Sequence, residues 1–240
     1  MSSRTVLALN ASAFVCSSAL VGLAIAAIVL ASDAYDAFTW AFPQGSYGWQ
    51  PSHWFGDGRT GFNIWIGYDR SSEIKTYFAA TFALIVGLLG TLVFGLSFKP
   101  PTAPLLIKSL TAGAALAFIV ATTCAVWSAV AEVEIKESTC WFEPAIADHQ
   151  YSCSIENAAC NAMRFTDEVN SWQKPHSAEQ NYEVLDKACL QFRHARFMVI
   201  PLAVFSLLLA GLYAALVWLG PRKSAENGAD ARVRALQQDD

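Results

Sequence analysis

The strongest constraint on this chain is a set of four apolar runs, each long enough to cross a bilayer. Val6 to Ala31 carries no charged residue, and roughly 20 apolar residues in a helix cover the ~30 Å hydrocarbon layer. The run is also longer than the h-region of a secretory signal peptide. Tyr77 to Phe98 is likewise uncharged and stops at Lys99-Pro100-Pro101, because proline cannot continue a helix and restricts the residue before it. Leu105 to about Val130 holds one charge, Lys108, whose stem can carry its ammonium back to the headgroups. Phe197 to Leu219 is the fourth run, with Pro201 in its tolerant first turns and Gly220-Pro221 at its end.

These runs predict an all-α membrane protein, a four-helix transmembrane bundle with spans at 1–31, 77–98, 105–131 and 197–219. The remainder divides into an outer loop at 32–76, an inner turn at 99–104, a second outer loop at 132–196 and a tail at 220–240. The short inner turn makes the second and third spans an antiparallel hairpin. A mean hydropathy of +0.34 with 15% charged residues fits that class.

Four spans place both termini on one side. The termini and inner turn hold Arg4, Lys99, Lys108, Arg222, Lys223, Arg232 and Arg234 against four acids, whereas the two loops hold nine basic residues against sixteen acids. The positive-inside rule then places the termini in the cytoplasm, with the protein expected in the plasma membrane. That orientation exposes 132–196 to an oxidising compartment, where its Cys140, Cys153, Cys160 and Cys189 read as a two-disulfide framework. Cys153 and Cys160, seven apart, would lie about 10 Å from one another in a continuous helix, out of reach of a disulfide. Cys140 with Cys153 and Cys160 with Cys189 is the favoured connectivity; direct pairing of Cys153 with Cys160 requires helix to begin only after Cys153. Cys16 and Cys124, inside apolar runs, read as small buried hydrophobes.

Within the second loop, the apolar positions from Ile155 to Trp172 have helical spacing up to Lys174-Pro175. Ser177 with Gln180 has the form of a capping box opening a further helix through Leu185, Cys189 and Phe192 into the fourth span. The larger loop is therefore expected to be helical and disulfide-bonded, with Trp141, Phe142, Phe165 and Trp172 as its recognition residues. The smaller loop, crowded with aromatics and punctuated by glycines such as Gly56-Asp57-Gly58, is expected to hold short β-strands.

Several function classes recede on chemical grounds. A net charge of -4 without a basic run leaves no footprint for nucleic acid. No ionisable group stands near the centre of a span, where a proton-coupled carrier needs one, and His53, His149, His176 and His194 fall in loops or at a span end. Glu143, Asp148, His149 and His176 define no nucleophile, metal triad or phosphate loop. No catalytic, metal or cofactor-binding residues, and no cofactor, are expected. The spans instead carry small residues at helical spacing: Ser18, Gly22 and Ala26; Ala83 and Gly87; Gly211 and Ala215. Such faces let helices approach closely in lipid, and Asn10 is placed to hydrogen-bond between helices.

Four spans, a tiny inner turn, a smaller outer loop without cysteines and a larger one with four resemble the tetraspanins in layout. Leu9-Asn10 followed by Phe14 and Gly22, and the glycines Gly87, Gly90 and Gly95, are similar to that family's first two spans. The family's Cys-Cys-Gly is absent from the large loop. Gly61-Phe62-Asn63-Ile64-Trp65 faintly resembles the Gly-Leu-Trp motif of the claudin-like superfamily. The resemblance implies a non-enzymatic protein that organises or escorts membrane proteins, with membrane proteins, lipid and further copies of itself as partners. A channel-forming or accessory subunit of a transport complex is the competing class.

Overall fold

A computed structural model describes residues 3–49, 62–96, 104–137, 150–160 and 178–238. In chain order the elements are α1 (Ser3–Ala41), β1 (Gly45–Trp49), β2 (Phe62–Asp69), α2 (Ser71–Leu96), α3 (Pro104–Glu137), β3 (Gln150–Ser154), a helical segment α4 at 155–160, α5 (Ala178–Phe197) and α6 (Val199–Gln238). Four helical stretches are long and apolar enough to cross a membrane: Thr5–Ala41, Ser71–Gly95, Leu105–Val130 and Glu183–Leu219.

The helices outrun the spans read from hydropathy. α1 continues ten residues past Ala31 to Ala41, and the polar Asp33 and Asp36 that begin the expected loop are exposed on its surface. These charges do not end the helix. α2 begins at Ser71, ahead of Tyr77, because Asp69 accepts hydrogen bonds from the Ser71 amide (3.0 Å) and hydroxyl (2.6 Å) and so satisfies a donor at the helix start. Only Met198 separates α5 from α6, and its amide still donates to the His194 carbonyl at 3.0 Å, a helical bond. The backbone of α6 also continues through Gly220-Pro221 to Gln238; a proline inside a helix removes one amide donor without obliging the chain to leave it.

Along each helix one series of buried positions alternates steps of three and four, with Ala79, Val86, Cys189 and Ala203 buried beside it. On α1 the series is Ala13, Ser17, Leu20, Ala24, Ala27, Ala31, Ala34, Phe38 and Ala41. α2 buries Glu73, Thr76, Ala80, Ala83, Gly90 and Phe94 in the same rhythm, with Gly87 between Ala83 and Gly90. On α3 the positions are Ile107, Leu110, Ala114, Ala117 and Ala121, and a single stripe crosses Met198 from Leu185, Ala188, Phe192 and Ala195 to Val199, Leu202, Ser206, Leu209, Tyr213 and Leu216. A 3.5-residue repeat keeps one seam of a helix turned to its neighbours.

The described chain is mostly helical, as expected of an all-α membrane bundle, and also carries a three-stranded sheet. β1 pairs antiparallel with β2, Gly45 opposite Ile66 and Trp49 opposite Phe62. β3 then pairs parallel with β2, Trp65 opposite Gln150 and Asp69 opposite Ser154. Short strands were expected in the smaller loop; β3 belongs to the larger one, just ahead of the helix expected from Ile155. Its Gln-Tyr-Ser-Cys-Ser sequence is too short and polar to announce a strand, and its partner lies far away in the chain. The expected turn at Gly56-Asp57-Gly58 and the inner turn up to 103 lie outside the described residues.

By contacts the chain forms two compact units. The first comprises Met1–Ala24, Thr81–Ala121 and Pro201–Asp240; the second comprises Ile25–Ala80 and Thr122–Ile200 and so contains the sheet and α5.

Candidate functional site

The second unit holds the cysteine-bearing element and its core. Ala34, Phe38, Ala41 and Phe42 from the end of α1 pack with Ile155, Ala158 and Ala159 from α4 and with Leu185, Ala188, Cys189 and Phe192 from α5. Phe38, Ile155 and Leu185 are completely or almost completely buried, and each such side chain stabilises by about 1.5–3 kcal/mol relative to exposure. Cys160 and Cys189 are joined at the edge of this cluster with Cα atoms 4.8 Å apart. The bond ties the short α4 to the middle of α5.

Local chemistry sets α4 in place. Ser154, the last residue of β3, accepts a 3.4 Å hydrogen bond from the Asn157 amide through its hydroxyl, the geometry of an N-cap. The helix therefore begins after Cys153, and Cys160 comes at its far end, toward α5. Glu156 in the first turn is buried and forms a 3.2 Å ion pair with Arg196 of α5, a second bond between these elements.

The sheet is fastened to α1 by Tyr68. Its ring stands edge-on to Phe38 with centroids 4.8 Å apart, and its hydroxyl donates to the Phe42 carbonyl at 3.2 Å. Next along the chain, Arg70 binds both carboxylate oxygens of the buried Glu73, at 3.0 and 3.3 Å, and lies 4.1 Å over the Tyr35 ring. The hydrogen bond to Glu73 holds the guanidinium above its ordinary pKa, against a smaller opposing effect of burial. Lys75 sits over the Trp127 ring at 4.6 Å, linking α2 and α3 within this unit.

Of the residues singled out for this region, Cys160 and Cys189 are brought together. Cys153 lies in the backbone of β3, whereas Cys140, Trp141, Phe142, Phe165 and Trp172 lie outside the described residues. Among the described residues, no group of three His, Cys, Asp or Glu side chains could hold a metal ion. Tyr68, Arg70, Glu156 and Arg196 were missed by the sequence reading. The signal for Arg70 was present in its spacing from Glu73, an i, i+3 pair at a helix start.

In the first unit the close helix contacts fall beside some of the expected small residues. A Cβ on Gly87 would stand 2.9 Å from a Val21 methyl and 3.1 Å from the Ser17 carbonyl, and Ala83 is fully buried. A Cβ on Gly90 would overlap the Tyr213 hydroxyl and Ser17 Oγ. Gly22 and Gly211 are exposed, with nothing within 4 Å of where a Cβ would stand. Ser18 spends its hydroxyl on the Phe14 carbonyl at 2.9 Å, and Ala215 is half-buried. The packed face of α1 passes through Ser17, not through Ser18 and Gly22. Asn10 buries its Oδ1 with no hydrogen-bond partner among the described residues. Cys16 and Cys124 are half-buried free thiols.

Length and apolarity of the four helices define the class, a membrane protein with four helices able to cross a bilayer. No protein-family model, curated protein or solved structure matches the chain.

Proposed function

We propose that this chain is a non-enzymatic tetraspan protein of the plasma membrane, tetraspanin-like in layout, that organises or escorts other membrane proteins. Its termini are cytoplasmic, its loop-bearing unit supplies recognition and its small-residue helix faces supply lateral packing. The observation that carries this reading is the construction of the second unit, where a disulfide, a buried ion pair and an apolar cluster fasten α4, α5 and the end of α1 together. A binding surface benefits from such rigidity, since ordering lost on association is a cost that a preorganised surface avoids.

Extraction in mild detergent tests the proposal. Wild-type protein should retain specific membrane-protein partners that a Cys160→Ser/Cys189→Ser variant of equal abundance loses. Ion flux from the purified protein alone in liposomes would instead support a channel and overturn the reading. Labelling of intact cells with an impermeant thiol reagent after mild reduction should reach Cys189; labelling only after permeabilisation would reverse the orientation.

A further inference from the structure

We infer that α3 and α6 of the first unit form a binding groove for an anionic phospholipid. The groove has a volume of about 490 Å³ and is lined by Lys108, Thr111, Ala112 and Ala115 of α3 and by Ala214, Val217 and Trp218 of α6. The α3 residues share one helix face by their spacing, beside the seam formed by Ile107, Leu110 and Ala114. Three alanines make its walls shallow, so a space a larger side chain would fill is left for an apolar chain.

The charge distribution selects the occupant. Lys108 is exposed, and it is the sole ionised side chain among the described side chains of the first unit. Residues 1–24, 81–121 and 201–219 contain no aspartate or glutamate. Those apolar stretches of a second copy would thus bring apolar surface but no counter-charge, the first unit's acids beginning only at Glu226. A phospholipid brings both: an acyl chain for the alanine-walled groove and a phosphate for the ammonium. Lys108 lies near the start of α3, where unsatisfied amides add positive potential, and Trp218 near the end of the apolar part of α6 has the ring type that settles at headgroup level. Basic pockets between membrane helices bind acidic headgroups in this way. An anionic glycerophospholipid such as phosphatidylserine has the required chemistry.

The test uses the full-length protein in phosphatidylcholine vesicles containing brominated phosphatidylserine or, separately, brominated phosphatidylcholine at the same mole fraction. The chain has eight tryptophans, so the Trp218 signal is taken as the difference between the protein and its Trp218→Phe variant, each read in a matched background. Brominated phosphatidylserine should quench that signal more strongly. Lys108→Gln should reduce the preference about fivefold, Lys108→Arg should keep it, and Ala112→Leu, which fills the groove, should weaken quenching by both lipids. A wild-type thermal unfolding midpoint in detergent checks that each variant is folded. Equal quenching by the two lipids, or a preference that survives Lys108→Gln, would overturn the assignment.

Discussion

Ser17 and Tyr213, 196 positions apart, share a buried hydrogen bond of 2.9 Å between their hydroxyls. Ser17 also donates to the Ala13 carbonyl at 2.7 Å, and the Tyr213 ring stacks on Phe94 at a 5.5 Å centroid distance. Gly90 faces both hydroxyls, so α1, α2 and α6 meet at one polar point in an apolar unit. Tyr213→Phe should remove the bond while keeping the stacked ring, at a cost of about 0.6–1.7 kcal/mol. Thermal unfolding in detergent measures it, and an unchanged midpoint would count against the bond.

Glycines on the two faces should respond oppositely. Gly87→Ala and Gly90→Ala drive a methyl into Val21 and into the Ser17–Tyr213 pair and should destabilise by about 1–3 kcal/mol each. Gly22→Ala and Gly211→Ala meet open space and should be neutral or stabilising by up to ~1 kcal/mol. The same unfolding assay separates the pairs, and similar effects for all four would refute the placement of the seam.

Breaking the Cys160–Cys189 bond frees a loop with a sequence separation of 29. Chain entropy alone puts the loss at about 3–4 kcal/mol. Mild reductant should therefore lower the melting of the second unit, and the Cys160→Ala/Cys189→Ala variant should begin at that lower point and no longer respond to reductant.

Glu156 and Arg196 form a largely desolvated pair, their side chains 10% and 16% exposed. Removing one partner leaves the other charge buried, so Glu156→Gln or Arg196→Met should each cost about 3 kcal/mol. The double variant should cost less than the sum of the two. Strict additivity in the double-mutant cycle would show that the pair is not coupled.

For Arg70 the sign of the pH effect follows from a pKa raised above its ordinary value by Glu73. Its stabilising contribution is complete below the ordinary guanidinium pKa and disappears only above it. Arg70→Ala, which takes the cation from the buried Glu73, should cost about 1–3 kcal/mol, and Arg70→Lys less. The gap to wild type should stay level as pH rises from neutrality to about 10. A gap that closes over that range would assign the effect to another group.

The spans and the helical run of α5 into α6 were legible because each rests on local pattern, unbroken apolarity and apolar positions at helical spacing; the pairing of Cys160 with Cys189 was one of several open connectivities, since the helix begins only after Cys153. The extra length of α1 was not legible, since Asp33 and Asp36 signal leaving lipid in the same letters that signal leaving a helix. Nor was β3, whose hydrogen-bonding partner is set by the path of the chain.

The amino-acid sequence by itself determined that this protein has four membrane-length helices and a cysteine-bearing loop, because desolvating the backbone in lipid leaves long apolar runs few alternatives to helix. Which face of each helix turns inward only the tertiary structure decided. A helix apolar all round has no amphipathic stripe to read, and α1 offers small residues at Ser17 and Ser18 alike. The choice falls to Ser17 because its carbonyl and hydroxyl meet Gly87, Gly90 and Tyr213, contacts that exist only once the helices are packed.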